Sequence, residues 1–305
     1  MKKKDLNDNL FIAGAIIFAL SMVAFPSVTE AGSKEAIIIW ANSIVPVLLP
    51  FFIFADFIKR TGVVNRAPQK IYPFIMAFLS GYPMGAKVVG DLVSCRRMSC
   101  SEGRFVLSYS LVTGPAFIFG TINSFLGNTK AAIIVAIAHY SGAIINGLLY
   151  RKTSEETKFT RNDFEKREFD LESQSRLESF TASIASGFKA MAMILAYLII
   201  FMIGIELISK VGLFSLFSSE SASAFAKGLL EMTVGANYVC LANAAMQLKT
   251  AMVSFIISFG GLSVVGQSSS MLGGSGINGL DVIKIKFSHG LISGIISVIL
   301  GIIML

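Results

Sequence analysis

Two stretches of this sequence put polar and charged side chains inside otherwise apolar segments. Ser80-Gly81-Tyr82-Pro83-Met84-Gly85-Ala86-Lys87 interrupts the segment at 71–93, and Glu231-Met232-Thr233-Val234-Gly235-Ala236-Asn237 interrupts the one at 222–246. Glycine, proline and polar residues break a helix. A broken helix leaves free N–H groups at one new end and free C=O groups at the other. The N-terminal ends favour anions and the C-terminal ends favour cations. The first stretch adds the ring and hydroxyl of Tyr82. It also adds Lys87, a positive charge within an apolar segment, which either binds a ligand or snorkels to the membrane interface. The second adds Glu231, Thr233 and Asn237; Glu231 either holds a coupling cation or proton, or pairs with Lys87. Two further interruptions are Thr113-Gly114-Pro115 within 104–126 and Ser258-Phe259-Gly260-Gly261 within 249–272. Beyond the latter, Ser263, Gln267 and Ser268 supply hydrogen-bonding groups.

This chemistry is recognition. The candidate substrate-binding residues are Ser80, Gly81, Tyr82, Gly85, Lys87, Thr113, Gly114, Pro115, Thr233, Asn237, Gly260, Gly261, Ser263 and Gln267, with Glu231 as the coupling-ion candidate. The glycines equally suit close helix packing. The sequence has no Ser–His–Asp pattern, metal-ligand cluster or Walker loop, so neither an enzyme, a cofactor, a metal nor an ATP-driven pump is expected. His139 and His289 are the only histidines and read as paired structural residues, with proton relay as the alternative. Cys95, Cys100 and Cys240 match no zinc or redox spacing and read as small apolar helix residues.

The elements that must position these residues follow from composition. The chain of 305 residues is 54% hydrophobic and 15% charged, with a mean hydropathy of +0.70. A soluble domain carries about a quarter charged residues, so charge this sparse cannot cover a water-facing surface. In lipid every backbone polar group must be satisfied internally, which leaves helices or closed barrels. The apolar stretches run roughly 18 to 28 residues, long enough for a helix to cross, and do not alternate like barrel strands. The fold class is all-α and polytopic, with the lipid bilayer as its partner. The net charge of +7 does not point to nucleic acid, because the basic residues sit at segment ends and report topology. The N-terminal MKKK leads into an apolar run. Thr29 and Ala31 fit a signal-peptidase site loosely, and an uncleaved helix is the expectation.

The two halves match. Asp56 and Glu206, Arg60 and Lys210, Gly62 and Gly212, Gly85 and Gly235, Ala86 and Ala236, and His139 and His289 are each 150 residues apart. Each unit reads as helix, re-entrant hairpin, broken helix, helix. Asp56 with Arg60 and Glu206 with Lys210 suit i,i+4 pairs near helix ends. A re-entrant hairpin crosses nothing, so each unit crosses three times, and an odd number inverts the second unit. With the N-terminus in the cytoplasm, 19 basic residues fall inside and 5 outside, as the positive-inside rule requires. The expected organisation is an N-terminal transmembrane helix at 1–35, a first repeat at 36–150, a charged cytoplasmic linker at 151–181 and an inverted second repeat at 182–305. Inverted repeats with discontinuous helices mark secondary transporters that bind substrate near the bilayer midplane.

SGYPMGAK at 80–87, GPAFIFGTI at 114–122, AHYSG at 138–142 and FGGLSVVGQ at 259–267 together resemble the YlbJ-like family of sporulation integral membrane proteins, over about residues 36 to 300. That family carries the nucleoside recognition, or gate, domain. The resemblance implies a scaffold similar to concentrative nucleoside transporters. It implies movement of dipicolinate, a small organic anion, across the outer forespore membrane. The nucleoside-transporter analogy implies a homo-oligomer, a trimer. It carries a binding role onto Ser80 to Lys87, Thr113 to Pro115, Gly260 to Ser263 and Gln267. A gate-domain permease for nucleosides or another small solute is the nearest alternative. A non-transporting sporulation scaffold acting through the 151–180 loop is the alternative of a different class.

Overall fold

The computed structural model describes residues 3–61, 68–151 and 175–305; the charged linker expected at 151–181 lies largely outside them. Among the described residues every regular element is a helix. Helix α1 (Lys3–Ala24) ends at Phe25, and α2 (Pro26–Ile39) starts with Pro26 in its first turn, where the missing N–H costs nothing. This helix runs on through residue 35, so the apolar segment that begins at 36 is the continuation of an element that starts ten residues earlier. A π-helical turn, Trp40–Ile44, joins α2 to α3 (Val45–Arg60). Pro46 and Pro50 follow within α3. Proline cannot donate to the carbonyl four residues back, and the turn just ahead of Pro46 absorbs the lost register.

Helices α4 (Tyr72–Ser80) and α5 (Met84–Ser94) are joined by residues 81–83. Helix α6 (Cys100–Ser110) stops, residues 111–114 are non-helical, and helix resumes at Pro115, passing through a π-helical turn, Phe117–Ile122, into α7 (Asn123–Leu126). Helix α8 (Thr129–Tyr150) follows after Asn128, whose side chain caps it. The second half repeats the order. Helix α9 (Arg176–Lys210) opens on a Ser175/Glu178 capping box. Helices α10 (Glu220–Leu230) and α11 (Met232–Leu241) are joined by Glu231 alone. Helices α12 (Met246–Phe259) and α13 (Gly261–Met271) are separated at Gly260, whose φ is +84°. Helix α14 (Gly279–Met304) opens on an Asn278/Asp281 capping box.

The element bounds themselves recur at a separation of 150. Pro26 and Arg60 bound the first long rod, Arg176 and Lys210 the second, and α8 and α14 start at Thr129 and Gly279. The two rods run antiparallel. Gly32 meets Ile203, Trp40 Nε1 donates to the Met191 carbonyl at 3.0 Å, and Phe57 stacks edge-on against Phe180. Helices α8 and α14 also run antiparallel: Gly142 meets Ser293 and Asn146 Nδ2 donates to the Ile285 carbonyl at 3.1 Å. The four short helices α4, α5, α10 and α11 have 9 to 11 residues, or about 14–17 Å at 1.5 Å per residue, half of a roughly 30 Å hydrocarbon core.

Among the described residues, five helical stretches are long and apolar enough to cross a membrane: Pro26–Arg60, Thr129–Tyr150, Arg176–Lys210, Met246–Met271, which bends at Gly260, and Gly279–Met304. The sidedness of burial is that of a protein in lipid. On α8 and α14 the polar residues His139, Asn146, Lys286, His289, Ser293 and Ser297 are buried, while Ile144, Leu148, Ile295 and Ile302 are exposed. In water this arrangement would expose apolar surface and desolvate polar groups at once. The chain is a multi-pass, all-α membrane protein.

Candidate functional site

The second hairpin closes on a contact between glycine backbones, and the first packs through a glycine onto the helix that follows it. A Cβ placed at Gly235 would lie 1.9 Å from the Cα of Gly228, so α10 and α11 touch with no side chain between them. A Cβ at Gly85 would lie 2.2 Å from the Ser110 carbonyl oxygen, so α5 lies directly on α6. The hairpin tips then meet the helix breaks. Gly81 (φ +67°) faces Gly114 closely enough that a Cβ would sit 3.3 Å from its nitrogen. A Cβ at Gly261 would sit 2.9 Å from the Leu230 carbonyl oxygen and 3.1 Å from the Glu231 nitrogen. The first tip thus rests on the first break and the second tip on the second.

The breaks are held open by side chains. The backbone N–H of Thr113 donates to His139 Nε2 at 3.0 Å, and Tyr140 Oη donates to the Thr113 carbonyl at 3.0 Å. Since Nε2 accepts, the ring proton of His139 is on Nδ1, which donates to Ser258 Oγ at 2.7 Å. One imidazole therefore ties the first break to the last turn of α12. Nε2 of His289 donates in turn to the His139 carbonyl at 2.8 Å. Both histidines are buried, and this network satisfies polar backbone that lipid could not.

Tyr82 extends from the first tip to the second broken helix, donating to the Ile257 carbonyl at 3.0 Å. Its oxygen accepts from Lys286 Nζ, which also donates to the Leu111 carbonyl at 3.2 Å. Lys286 is fully buried.

Both tips and the first break line one cavity of about 60 Å³, room for a few water molecules. Ser80, Gly81 and Tyr82 come from the first tip, Glu231, Met232 and Thr233 from the second, Thr113 and Gly114 from the first break, and Gln267 from α13. Phe51, Phe52, Phe117 and Tyr197 add aromatic wall. Glu231 caps α11: Oε2 accepts from the Val234 N–H at 2.7 Å, and Oε1 accepts from Ser263 Oγ at 3.4 Å. A carboxylate at a helix N-terminus is favourably placed. The cavity lining includes no basic side chain.

Eight of the residues singled out in the sequence are brought together here: Ser80, Gly81, Tyr82, Thr113, Gly114, Glu231, Thr233 and Gln267. Gly260, Gly261 and Ser263 lie behind the wall, the glycines as backbone of the second break and Ser263 bonded to Glu231. Gly85 is a packing contact, Pro115 starts the helix after the first break, and Asn237 is half-buried on α11 away from the lining. Lys87 does not reach the cavity. Helix α5 buries Gly85, Ala86, Val88, Val89 and Gly90, which leaves Lys87 on its exposed face, near Lys59. No ion pair joins Lys87 to Glu231 among the described residues.

Lys286 is the residue that sequence reasoning missed. Hydropathy starts the last apolar segment at 286 and puts this lysine among the basic residues at the cytoplasmic rim. The helix starts at Gly279, so Lys286 is two turns inside and buried. Two signals were available: the Asn278/Asp281 capping pattern, and Ala136 standing at the matching place in the first half.

No protein-family model matches the chain, and no solved structure matches it. Among curated proteins it is similar to the sporulation integral membrane protein YlbJ of Bacillus subtilis (strain 168). The two are 24% identical over 315 aligned positions, which cover 89% of this chain and 77% of the relative. The similarity spans most of both proteins and supports a likeness to the YlbJ-like sporulation integral membrane proteins.

Proposed function

We propose that the protein is a secondary transporter of a small organic anion, dipicolinate in the first place, acting during sporulation at the outer forespore membrane. The observation that carries this reading is the shared cavity: two hairpin tips and a helix break, from the two halves of the chain, bring a few polar groups to one small, mostly apolar-walled space inside the bundle. Irregular backbone at that depth is tolerated only around protein or a water-filled cavity, and transporters place substrate at such points. The antiparallel rods, the antiparallel α8 and α14 and the recurring element bounds support two inverted repeats with re-entrant hairpins. The basic-residue asymmetry supports a cytoplasmic N-terminus, even with Lys286 removed from the count.

An aromatic dicarboxylate suits the site in two ways. Its ring meets the wall of Phe51, Phe52, Phe117 and Tyr197, and its carboxylates meet the hydroxyls of Thr113 and Thr233. Glu231 is acidic, so an anion enters together with a cation or proton there, which is the coupling role we assign to it. At about 60 Å³ the cavity is too small for such a solute, and admission of substrate requires the tips to part. A nucleoside is the second reading, favoured by the absence of basic side chains from the cavity lining.

Uptake of labelled dipicolinate by vesicles containing the purified protein tests both. The expected result is uptake above that of protein-free vesicles, reduced by unlabelled dipicolinate more than by nucleosides, and lowered about tenfold by Thr233→Val with Gln267→Leu. Preferential competition by nucleosides would transfer the assignment to the second reading. Uptake of neither solute would remove the transport reading.

A further inference from the structure

Lys286 is the only fully buried lysine or arginine among the described residues, and none of the ion pairs there includes it. Its ammonium donates to one helix-end carbonyl and to one phenol. Leu111, the residue at the C-terminal end of α6, accepts from Nζ through its carbonyl at 3.2 Å. Tyr82 Oη also accepts from Nζ, and donates to the carbonyl of Ile257 in the last turn of α12 at 3.0 Å. The stem passes Gly260 so closely that a Cβ there would lie 3.3 Å from Lys286 Cε. The negative ends of α6 and α12 therefore converge on one ammonium, the first directly and the second through a phenol.

Carbonyl-bearing ends of interrupted helices at membrane depth make a cation site. Here a side chain carries the charge. The matching place in the first half is Ala136, so the ammonium is not supplied by the frame that the two halves share. We infer that Lys286 is a resident cation, tethered in a carbonyl site that would otherwise call for a free monovalent ion. The protein then moves its solute without sodium or potassium. This inference rests on the transport reading and narrows the coupling role of Glu231 to a proton.

The test compares sodium, potassium and choline chloride at equal concentration, reading both dipicolinate uptake and the melting temperature of the purified full-length protein. Wild-type uptake should agree within about twofold across the three salts, with an unchanged melting temperature, because no free-ion site is left to fill. Lys286→Ala vacates the space. Its uptake in choline should fall about tenfold, and methylammonium or sodium should raise both its uptake and its melting temperature, since a cation that binds only the folded state stabilises it. Lys286→Met removes the charge but fills the space, and should lose uptake without rescue by any cation. Wild-type uptake that collapses in choline would overturn the inference, as would Lys286→Ala indifferent to every cation in both measurements. If Lys286→Ala does not fold, the wild-type salt comparison and Lys286→Met decide: full activity in Lys286→Met overturns the inference, and inactivity in every salt supports it. If wild-type vesicles take up nothing, the transport reading fails, while a melting-temperature rise in Lys286→Ala with methylammonium still supports the resident cation.

Discussion

The contact between Gly228 and Gly235 sets the position of the tip that carries Glu231, so a single methyl group should displace it. In Gly235→Ala the new Cβ would start 1.9 Å from the Gly228 Cα, with the Gly228 nitrogen at 2.3 Å. Carbon atoms settle at about 3.5–4.0 Å, so α10 and α11 must separate by roughly 1.6–2 Å at this level. Neither obstacle is a side chain that could swing aside; both are backbone. Overpacking a tight interior costs about 1–3 kcal/mol, and the upper end applies where no rotamer change relieves the clash. Alanine at Gly266, where nothing lies within 4 Å, is the matched control and should gain slightly from helix propensity. Both variants would be compared by thermal unfolding in detergent and by vesicle uptake. Gly235→Ala should melt below wild type and lose most uptake, while Gly266→Ala should match wild type in both. A Gly235→Ala protein as stable and active as wild type would refute the view that backbone contact fixes the tip.

His139→Ala leaves the Thr113 N–H without its acceptor and Ser258 without its partner; a loss of about 2–4 kcal/mol is expected in chemical unfolding, from two buried hydrogen bonds and a cavity. Asn146→Leu removes the bonds to the carbonyls of Ser108 and Ile285 and to Ser288, and should cost about 2–3 kcal/mol in the same assay while leaving substrate selectivity unchanged. Lys87→Ala and Asn237→Ala should each keep uptake within about twofold of wild type, because neither residue reaches the cavity; a tenfold loss in either would move the site. Glu231→Gln retains a cap for the Val234 N–H, so its melting temperature should stay near that of wild type, whereas its uptake should lose any dependence on a proton gradient.

Much of this architecture was legible in the sequence because its breaks are written in residue types that force them. Gly81, Pro83, Gly114, Pro115 and Gly260 stand at the interruptions themselves, and a fixed offset of 150 survives in pairs such as His139 and His289. The facing of side chains was not legible. Lys87 and Tyr82 are five residues apart on one apolar segment, and only packing against α6 decides that Tyr82 turns inward and Lys87 outward. The start of α14 was misplaced because polar residues at Asp281 and Lys284 depress hydropathy over two turns that are nonetheless helical, and Lys286 went with them. The aromatic wall was invisible for a different reason: in a chain where more than half the residues are hydrophobic, Phe51 and Phe117 carry no mark that separates them from residues facing lipid. His139 was read as structural, and the geometry gives that role its content, since its two nitrogens bind the backbone of one break and the last turn of another helix.

The glycine contacts also have a mechanical meaning. Where side chains separate two elements, a small displacement is absorbed by rotamer changes and dies out within one shell of neighbours. Gly81 on Gly114, Gly261 on Glu231 and Gly228 on Gly235 leave main chain against main chain, with nothing compressible between. A joint of this kind has no slack. Any movement of a hairpin tip is handed undiminished to the break it rests on, and any change in a break is felt at once by the tip. The two ends of the cavity are then geared to the two halves of the bundle, so that intermediate, half-shifted arrangements are squeezed out in favour of a few whole ones.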